Sequence, residues 1–580
     1  MPHHLLERAI FVLAVLFYLS AAVWQLALPG LHYDEAFDVL PAMQLVLGQP
    51  VTTFRDNGIQ LGEWQLPLMT QDYIGALHTY LALPLFVLCG PSVVSVRLTT
   101  IALGVLTLCL AYRLAGALVM PLAGSIAAWL LALDPTFVFW SRQGVFVTSV
   151  TAALGLAAAW AWLRWWRSGS RVCAFTGGFL FGLGLYAKLL FLWIIVGLGI
   201  AALGLMLVQQ RGRLPEVACC GAQKLRQRSA WVWAAFGLLA GCAPLIAYNG
   251  QTGGTIKSIA ENLTVSYYGT NNLAYLANLM ARSGQLLVML TGSHLWYLGD
   301  QYANWLAPLT LTAGLACLIW ALRRDPRSGY GALVPFFVIL GVLLSSCATV
   351  SALWVTHFAV LMPWPALAVG GSVASMLRVA RGCGQHASAP SERPIPGRRC
   401  LPVGVIGMLI LLAAAWAMHA ANDLRYHQAL MRSGGLSAHS DAIYDMADWL
   451  VAAQREYAAT GRGTLPVVAM DWGIAAPVNF LTLGVVRPVE AFGYQWQPDA
   501  ALTARLERFV RQPEALYLWR APDEVIFDRS REFKALYQPL ALEEDIVAAF
   551  YERSGRPVLG ATRLVPQGTA QNPPKPLGPR

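Results

Sequence analysis

The chain has 580 residues, of which 57% are apolar and only 12% are charged. Soluble domains carry about 25% charged residues, so this composition excludes an ordinary soluble protein and indicates a membrane protein. The formal net charge of +10 would suit a nucleic-acid-binding protein. The basic residues are concentrated in short loops between apolar runs, however, which argues against nucleic acid as a partner.

Apolar runs recur from residue 9 to residue 418, and a helix that crosses a bilayer needs about 20 such residues. A shorter apolar run at 73–89, with Pro84 inside it, predicts an interfacial helix rather than a span. Residues 1–418 are therefore interpreted as a multispanning α-helical membrane domain. Eleven spans are predicted, at 9–29, 94–113, 118–138, 146–163, 174–187, 189–208, 231–248, 305–322, 332–350, 357–377 and 401–418.

The loops between these spans alternate in charge. Loops rich in Lys and Arg stay on the cytoplasmic side of a membrane. Two long loops are poor in basic residues: loop 30–72 has only Arg55, and loop 249–304 has only Lys257 and Arg282. The pattern predicts a cytoplasmic N-terminus, two outer loops and an extracytoplasmic C-terminal domain. A bacterial inner membrane is the default location. The basic loops are 164–171, 209–228, 323–327 and 378–399.

An acidic cluster, "LHYDEAFDV" at 31–39, follows the first span. The apolar residues of 33–48 have helical spacing, which predicts a helix along the outer surface. Asp34 and Asp38 then share one face, while Glu35 points elsewhere. Two interpretations stay open: a polar first turn of a helix, or a reactive or cation-binding site.

The C-terminal region has the composition of a soluble domain. A helix pattern at 442–457, a strand pattern at 465–471, a helix pattern at 476–484 and a strand pattern at 514–519 predict a small α/β domain over 419–565. Asp471, between a strand and a helix, is interpreted as a helix cap. The Pro-rich residues 566–580 are predicted to be disordered.

Further segments accompany the Asp-Glu pair in a recognisable order. They are "YIGALHTYLALPLFVLCGPSVVSVRL" (73–98), "LDPTFVFWSRQG" (133–144), "GLGLYAK" (182–188) and "HFAVLMPWPALAV" (357–369). Over residues 30–370 the chain resembles the GT-C membrane glycosyltransferases, among them the protein O-mannosyltransferases and the lipid A aminoarabinose transferases of glycosyltransferase family 39.

The resemblance implies transfer of a sugar from a polyprenyl-phosphate donor to a lipid, glycan or protein acceptor at the outer membrane surface. Asp34 matches the family's catalytic aspartate, with Glu35 beside it. A carboxylate is needed to take the proton of an acceptor hydroxyl as it attacks. One base without an evident nucleophile pair further implies inversion at the sugar.

The leaving group in such a reaction is a lipid phosphate, whose growing negative charge needs fixed cations. Arg97 and Lys188 match family positions and are predicted to bind the donor phosphate, and Arg142 and His357 are further candidates. Ionisable residues at membrane depth are costly and usually functional. The alternative for the basic side chains is snorkelling to lipid headgroups, and for His357 a packed, hydrogen-bonded ring.

The resemblance also allows for a divalent cation, which would prefer carboxylate oxygens. Asp34, Glu63, Asp72 and Asp134 are the candidate ligands. Two other functions stay open. A transporter or flippase would carry acids inside its spans and show matching halves, which this sequence lacks. A non-catalytic assembly partner would tolerate loss of Asp34.

Overall fold

The computed structural model describes residues 2–143, 148–208, 227–325, 329–383, 403–494 and 496–570. Most of the basic loops 209–228 and 378–399, and residues 571–580 of the predicted disordered tail, lie outside this range. Among the described residues, four helices are long and apolar enough to cross a membrane, and seven spans result if each of three bent helix pairs counts as one.

The N-terminal part of the chain is almost entirely helical. Its helices are α1 (Pro2–Val23), α2 (Tyr33–Val46), α3 (Leu77–Cys89), α4 (Val93–Leu118), α5 (Pro121–Leu133), α6 (Pro135–Gln143), α7 (Thr148–Ser168), α8 (Arg171–Ala187), α9 (Leu192–Val208), α10 (Arg228–Gly241), α11 (Ala243–Thr252), α12 (Gly254–Glu261), α13 (Tyr275–Thr291), α14 (Leu306–Arg324), α15 (Leu333–Ser345), α16 (Pro363–Cys383) and α17 (Val403–Ser433).

Each predicted span overlaps a helix or a bent helix pair. The bends are 70° between α5 and α6, 59° between α10 and α11, and 45° between the 3-10 helix Val355–Leu361 and α16. A proline lies at each break: Pro135, Pro244 and Pro363. Proline lacks the amide hydrogen that would continue the helix, so the helix bends there. Membrane character is thus supported by helix length and composition, while the number of crossings stays a prediction.

The two predicted outer loops are folded. Loop 30–72 contains α2 and a hairpin of β1 (Gly58–Leu61) with β2 (Trp64–Pro67), and β3 (Met69–Gln71) then pairs with β4 (Ile74–Gly75). The short apolar run at 73–89 gives the helix α3, as expected. Loop 249–304 contributes α12 and α13.

The C-terminal domain has a five-stranded mixed sheet with helices on both faces. Its order is β6-β5-β7-β9-β8, with β6, β5 and β7 parallel and β9 and β8 antiparallel. The domain was predicted as α/β, but the hairpin of β8 and β9 was not. Its elements are α18 (Ala442–Ala459), β5 (Val467–Ala469), α19 (Ala475–Leu481), β6 (Val489–Glu490), α20 (Leu502–Val510), β7 (Leu516–Arg520), α21 (Ser530–Tyr537), β8 (Leu542–Tyr551) and β9 (Pro557–Pro566).

The sheet separates two apolar cores. Alternate residues of a strand point to opposite faces, so Val467 and Ala469 pack against α18 and α19, whereas Val468 packs against α20 and α21. The last membrane helix, α17, continues past residue 419, where the domain was predicted to begin, and ends only at Ser433.

Helix α2 lies between the two parts of the protein. Its apolar side chains form one cluster with α3 and with Phe480 of α19. The helix was predicted to lie along the outer surface, but ten of its fourteen residues are buried. The reason is that the C-terminal domain covers the face that would otherwise be exposed.

Candidate active site

The first turn of α2 is fixed by a reciprocal capping box. The Nδ1 atom of His32 accepts a hydrogen bond from the backbone N–H of Asp34, and the Glu35 carboxylate accepts one from the backbone N–H of His32. Such a box satisfies amides at a helix start that would otherwise lack partners. Burial lowers the pKa of His32 to about 3, and the charge of Arg520 adds to this, so the ring is neutral and able to accept.

Glu35 and Arg97 form a fully buried ion pair. Arg97 donates from Nε to Glu35 at 3.0 Å and from Nη2 to the other carboxylate oxygen at 3.2 Å. Its remaining donors reach the carbonyls of Leu26 at 2.8 Å and Pro29 at 2.9 Å. Glu35 therefore faces the helical bundle, and Arg97 would have to release these partners before it could bind a donor phosphate.

Asp34 points away from that pair and is 18% exposed at its side chain. It forms a second electrostatic cluster with Asp38 and Lys188. Burial raises the pKa of Asp34 to about 7; the positive charge of Lys188 opposes the rise, and Glu35 adds to it. A carboxyl group with such a pKa is a useful proton acceptor near neutral pH.

Asp38 is more enclosed, with 5% of the residue exposed. Burial raises its pKa and Asp34 adds to the rise, while Lys188 and a 3.4 Å hydrogen bond from the Thr70 hydroxyl oppose it. The two carboxyl groups therefore titrate as an interacting pair. Asp34 is the member of the pair that is open to an approaching molecule.

Lys188 lies at the turn between α8 and α9, as predicted. Its backbone forms a bridge with Ile74, and the amide of Leu189 donates to the carbonyl of Tyr73 at 3.0 Å, so the first outer loop is tied to this turn. Burial lowers the pKa of Lys188, and the negative charges of Asp34 and Asp38 oppose the decrease. The predicted base and one predicted phosphate ligand are thus brought together.

Arg142 was predicted in a tight loop, but it lies in the last turn of α6 and is fully buried. The loop was predicted because Arg142 falls between the predicted spans 118–138 and 146–163, whereas α6 begins at the bend and extends to Gln143. One nitrogen donates to the carbonyls of Gln25 and Leu28. Its Nε and Nη1 atoms have no hydrogen-bond partner in the described part of the chain.

His357 lies in the 3-10 helix before α16 and contacts Arg282, a residue for which no role was predicted. Arg282 is fully buried and lies 3.3 Å from Nδ1 of His357. Because arginine only donates, Nδ1 accepts, and the imidazole proton is then on Nε2, 3.4 Å from the Ser351 hydroxyl. The positive charge of Lys188 acts on His357, so His357 lies at the edge of the same site.

The candidate metal ligands are not brought together. Asp72 binds Arg55 through both carboxylate oxygens, Glu63 is exposed between β1 and β2, and Asp134 lies at the α5–α6 bend, 3.9 Å from His419. Among the described residues, no group of three His, Cys, Asp or Glu side chains could hold a metal ion. This donor set does not fit a divalent ion that prefers several oxygens.

The C-terminal domain closes one side of the site. The Tyr33 hydroxyl is 2.7 Å from the hydroxyl of Tyr494, which also hydrogen-bonds Glu490. His32 stacks on His439, with ring centroids 4.3 Å apart. The residue beside Asp34 is therefore held by the covering domain.

Aromatic residues extend this cover. Tyr268 of the second outer loop contacts Trp354 and Trp496, at 5.2 and 5.8 Å between ring centroids. Asp471 was predicted to cap a helix, and this prediction is wrong. Its carboxylate instead accepts hydrogen bonds from the backbone amides of Ile526 and Phe527. The strand-end carboxylate thus stabilises a loop of the C-terminal domain.

Comparisons with known proteins bear on the fold. No protein-family model matches the chain, and no curated protein sequence matches it. Solved structures do match. ArnT from Cupriavidus metallidurans, in a crystal structure bound to undecaprenyl phosphate, is 14% identical with a TM-score of 0.55, and the alignment covers 95% of this chain and 97% of ArnT.

An archaeal structure matches as well. The oligosaccharyltransferase of Archaeoglobus fulgidus in the apo form is 12% identical with a TM-score of 0.51, over 94% of this chain and 74% of that protein. Another structure of it is a complex with Zn and sulfate, with a TM-score of 0.53. Similarity over nearly the whole chain includes both the helical bundle and the C-terminal domain. The chain shares its fold with ArnT and with the archaeal oligosaccharyltransferase.

Proposed function

We propose that the protein is a membrane glycosyltransferase that moves a sugar from a polyprenyl-phosphate donor to an acceptor hydroxyl, with Asp34 as the general base. The observation that carries the proposal is the cluster of Asp34, Asp38 and Lys188. It places a proton acceptor and a cation side by side, at the boundary between apolar helices and the C-terminal domain.

The reaction divides between these two charges. As the acceptor oxygen bonds to the anomeric carbon, its proton passes to the Asp34 carboxylate. The bond from that carbon to the phosphate oxygen breaks, and its electron pair leaves with the lipid phosphate. Lys188 stabilises the negative charge that develops there. With Asp38 enclosed and one carboxylate open, the arrangement suits a single displacement that inverts the sugar.

The other predicted site residues receive different parts in this proposal. Glu35 and Arg97 position the first turn of α2 against the backbone of residues 26–30. Arg142 retains donors without a protein partner among the described residues, and His357 adjoins Lys188, so both stay candidates for contact with the donor. No step needs a divalent cation.

Two structural relatives support the choice of donor. ArnT was crystallised with undecaprenyl phosphate, and the archaeal oligosaccharyltransferase AglB was solved with an inhibitory peptide and a dolichol-phosphate. Both ligands are polyprenyl phosphates. The bundle of apolar helices offers such a lipid chain the surroundings it requires, and Lys188 offers its phosphate a counter-charge.

The test is the lipid that co-purifies with the protein, identified by mass spectrometry. A polyprenyl phosphate or its sugar conjugate is expected with the wild type. Lys188→Ala should retain about 10-fold to 100-fold less, because a hydrogen bond to a charged group contributes about 1.5–3 kcal/mol. Lys257→Ala is the matched control, since Lys257 is exposed and paired with Glu261.

The identified lipid then serves as substrate in proteoliposomes. Loss of the sugar from the lipid supports a transferase. Movement of the intact conjugate across the bilayer, without cleavage, would instead establish a flippase. Absence of any polyprenyl phosphate from the purified wild type would remove the basis of the proposal.

A further inference from the structure

An apolar cleft lies between the C-terminal domain and the membrane domain. Its volume is about 400 Å³. The polar lining side chains are engaged: Ser92 caps the start of α4, and the Tyr444 hydroxyl donates to the carbonyl of Ala27 at 2.7 Å. The lining is formed by Ala27, Pro91, Ser92, Val93, Tyr444, Phe480, Leu481 and Leu483.

The cleft is located at the membrane boundary. Val93 is the first residue of α4, which is long and apolar enough to cross a bilayer. Next to the cleft, Val87 and Leu88 at the end of α3 and Val94 of α4 are 70%, 78% and 45% exposed. Apolar surface costs roughly 25 cal/mol per Å² in water, so contact with lipid would stabilise this arrangement.

The C-terminal domain contributes an apolar turn to the same surface. Leu483 and Val485 are 42% and 48% exposed, and residues 481–486 contain no charged side chain. Leu483 has φ 52°, a left-handed conformation that is unfavourable for a residue with a side chain. Such strain persists where the surroundings enforce it, often at binding surfaces.

Contacts with the membrane domain hold the turn in place. The side-chain amide of Gln49, just after α2, donates to the carbonyl of Leu483 at 2.9 Å. Its oxygen accepts a hydrogen bond from Arg487 at 2.9 Å. The apolar side chains of the turn are therefore presented in a fixed position beside the first residues of α4.

We propose that the turn 481–486 contacts the lipid chains of the leaflet that faces the C-terminal domain, and that the cleft accommodates such chains. The C-terminal domain, which was predicted to be soluble, would then also bind one leaflet of the membrane without crossing it. The occupant is bilayer lipid, because the apolar surface of the cleft is continuous with the exposed residues of α3 and α4. In addition, both polar side chains of the lining are already hydrogen-bonded and do not offer a contact to a headgroup or a sugar. The proposal does not depend on the transferase function.

The cleft wall also contacts the helix that carries Asp34. Phe480 of the cleft wall contacts Phe86 of α3, and both belong to the cluster that packs against α2. Lipid in the cleft would therefore support the helix that carries Asp34.

Site-specific photocrosslinking tests the proposal on the full-length protein. Benzoylphenylalanine replaces Leu483 in one variant and Leu540 in the other, and both are placed in vesicles of phosphatidylethanolamine and phosphatidylglycerol. Leu540 is the matched control because it is 45% exposed and precedes β8, at the sheet edge opposite β6. After irradiation, lipid adducts are quantified by mass spectrometry of the modified peptides.

Lipid adducts at position 483 should exceed those at position 540 by at least about fivefold, because apolar side chains of an interfacial element are buried among the acyl chains. Equal lipid yields at the two positions, or adducts at 483 only with protein, would overturn the proposal. Equal thermal unfolding temperatures in detergent show that both variants are folded.

Discussion

Asp34 and Glu35 are consecutive carboxylates in one helical turn, and their surroundings are opposite. Glu35 is fully enclosed and is neutralised by Arg97 within hydrogen-bonding distance. Asp34 is partly exposed and has no such partner among the described residues; burial raises its pKa to about 7, and the positive charge of Lys188 opposes the rise. Successive residues of a helix are 100° apart, so one turn can present one acid to the bundle and another to the site.

The different environments of Glu35 and Asp34 explain how a reactive acid is positioned. The buried pair of Glu35 and Arg97 fixes the backbone of this turn, because separating the two side chains would leave each with an uncompensated buried charge. Asp34, the next residue in the turn, is thereby held in a defined position without forming such an ion pair itself.

Asp34→Asn should lower the rate of sugar transfer by about 10²–10⁴-fold, the usual contribution of a general base. The amide keeps the shape of the side chain but does not take up the proton. The measurement is release of polyprenyl phosphate from the sugar-linked lipid by purified protein. Glu63→Gln, on the exposed hairpin, should retain wild-type activity. An active Asp34→Asn enzyme would exclude Asp34 as the base.

Arg97→Ala should destabilise the protein by about 3–5 kcal/mol, the cost of leaving one member of a buried pair without its partner. The measurement is thermal unfolding in detergent, together with lipid retention by the folded fraction, which should stay at the wild-type level. Glu35→Gln should show a similar but smaller effect, since the amide still accepts a hydrogen bond. An Arg97→Ala protein of normal stability that has lost its lipid would instead make Arg97 a phosphate ligand.

Transfer should depend on pH with an acidic limb near 7. A protonated Asp34 does not accept a proton, so kcat/KM should fall about tenfold per pH unit below the pKa of Asp34. Because the charge of Lys188 opposes the rise of that pKa, Lys188→Ala should move this limb to higher pH. An acidic limb near the ordinary aspartate value of about 4 would contradict the assignment.

Lys188→Arg sharpens the same profile. Burial lowers the pKa of Lys188, so the wild type should also lose activity as this amine deprotonates at higher pH. Arginine stays charged throughout this range, and the variant should keep the acidic limb while losing the alkaline one. Retention of both limbs would mean that another group causes the alkaline decrease.

Much of the fold is predictable because hydrophobicity is a local signal. Every predicted span overlaps a helix or a bent pair, and the proline breaks are visible in the sequence. Asp34 and Lys188 are also recognisable in the sequence, because charges at the ends of apolar runs are conspicuous. The resemblance that drew attention to them agrees with the fold shared with ArnT, while their roles stay predictions.

Other features depend on contacts that leave no local pattern. Arg97 and Arg142 bind backbone carbonyls of residues 25–30, and any sequence there would supply such acceptors. The hairpin of β8 and β9 escaped prediction because register shifts interrupt its pairing, between Ile546 and Ala548 and again near Tyr551, which obscures strand alternation. The burial of α2 depends on a domain that begins more than 400 residues later.

The uninterrupted course of α17 constrains how this molecule works. Between its end at Ser433 and the start of α18 at Ala442 lies a connection whose glycines, Gly434 and Gly435, are in close contact with Asp441 and His439. A side chain at either position would clash with these neighbours, so the junction between α17 and the domain that covers α2 requires glycine at both.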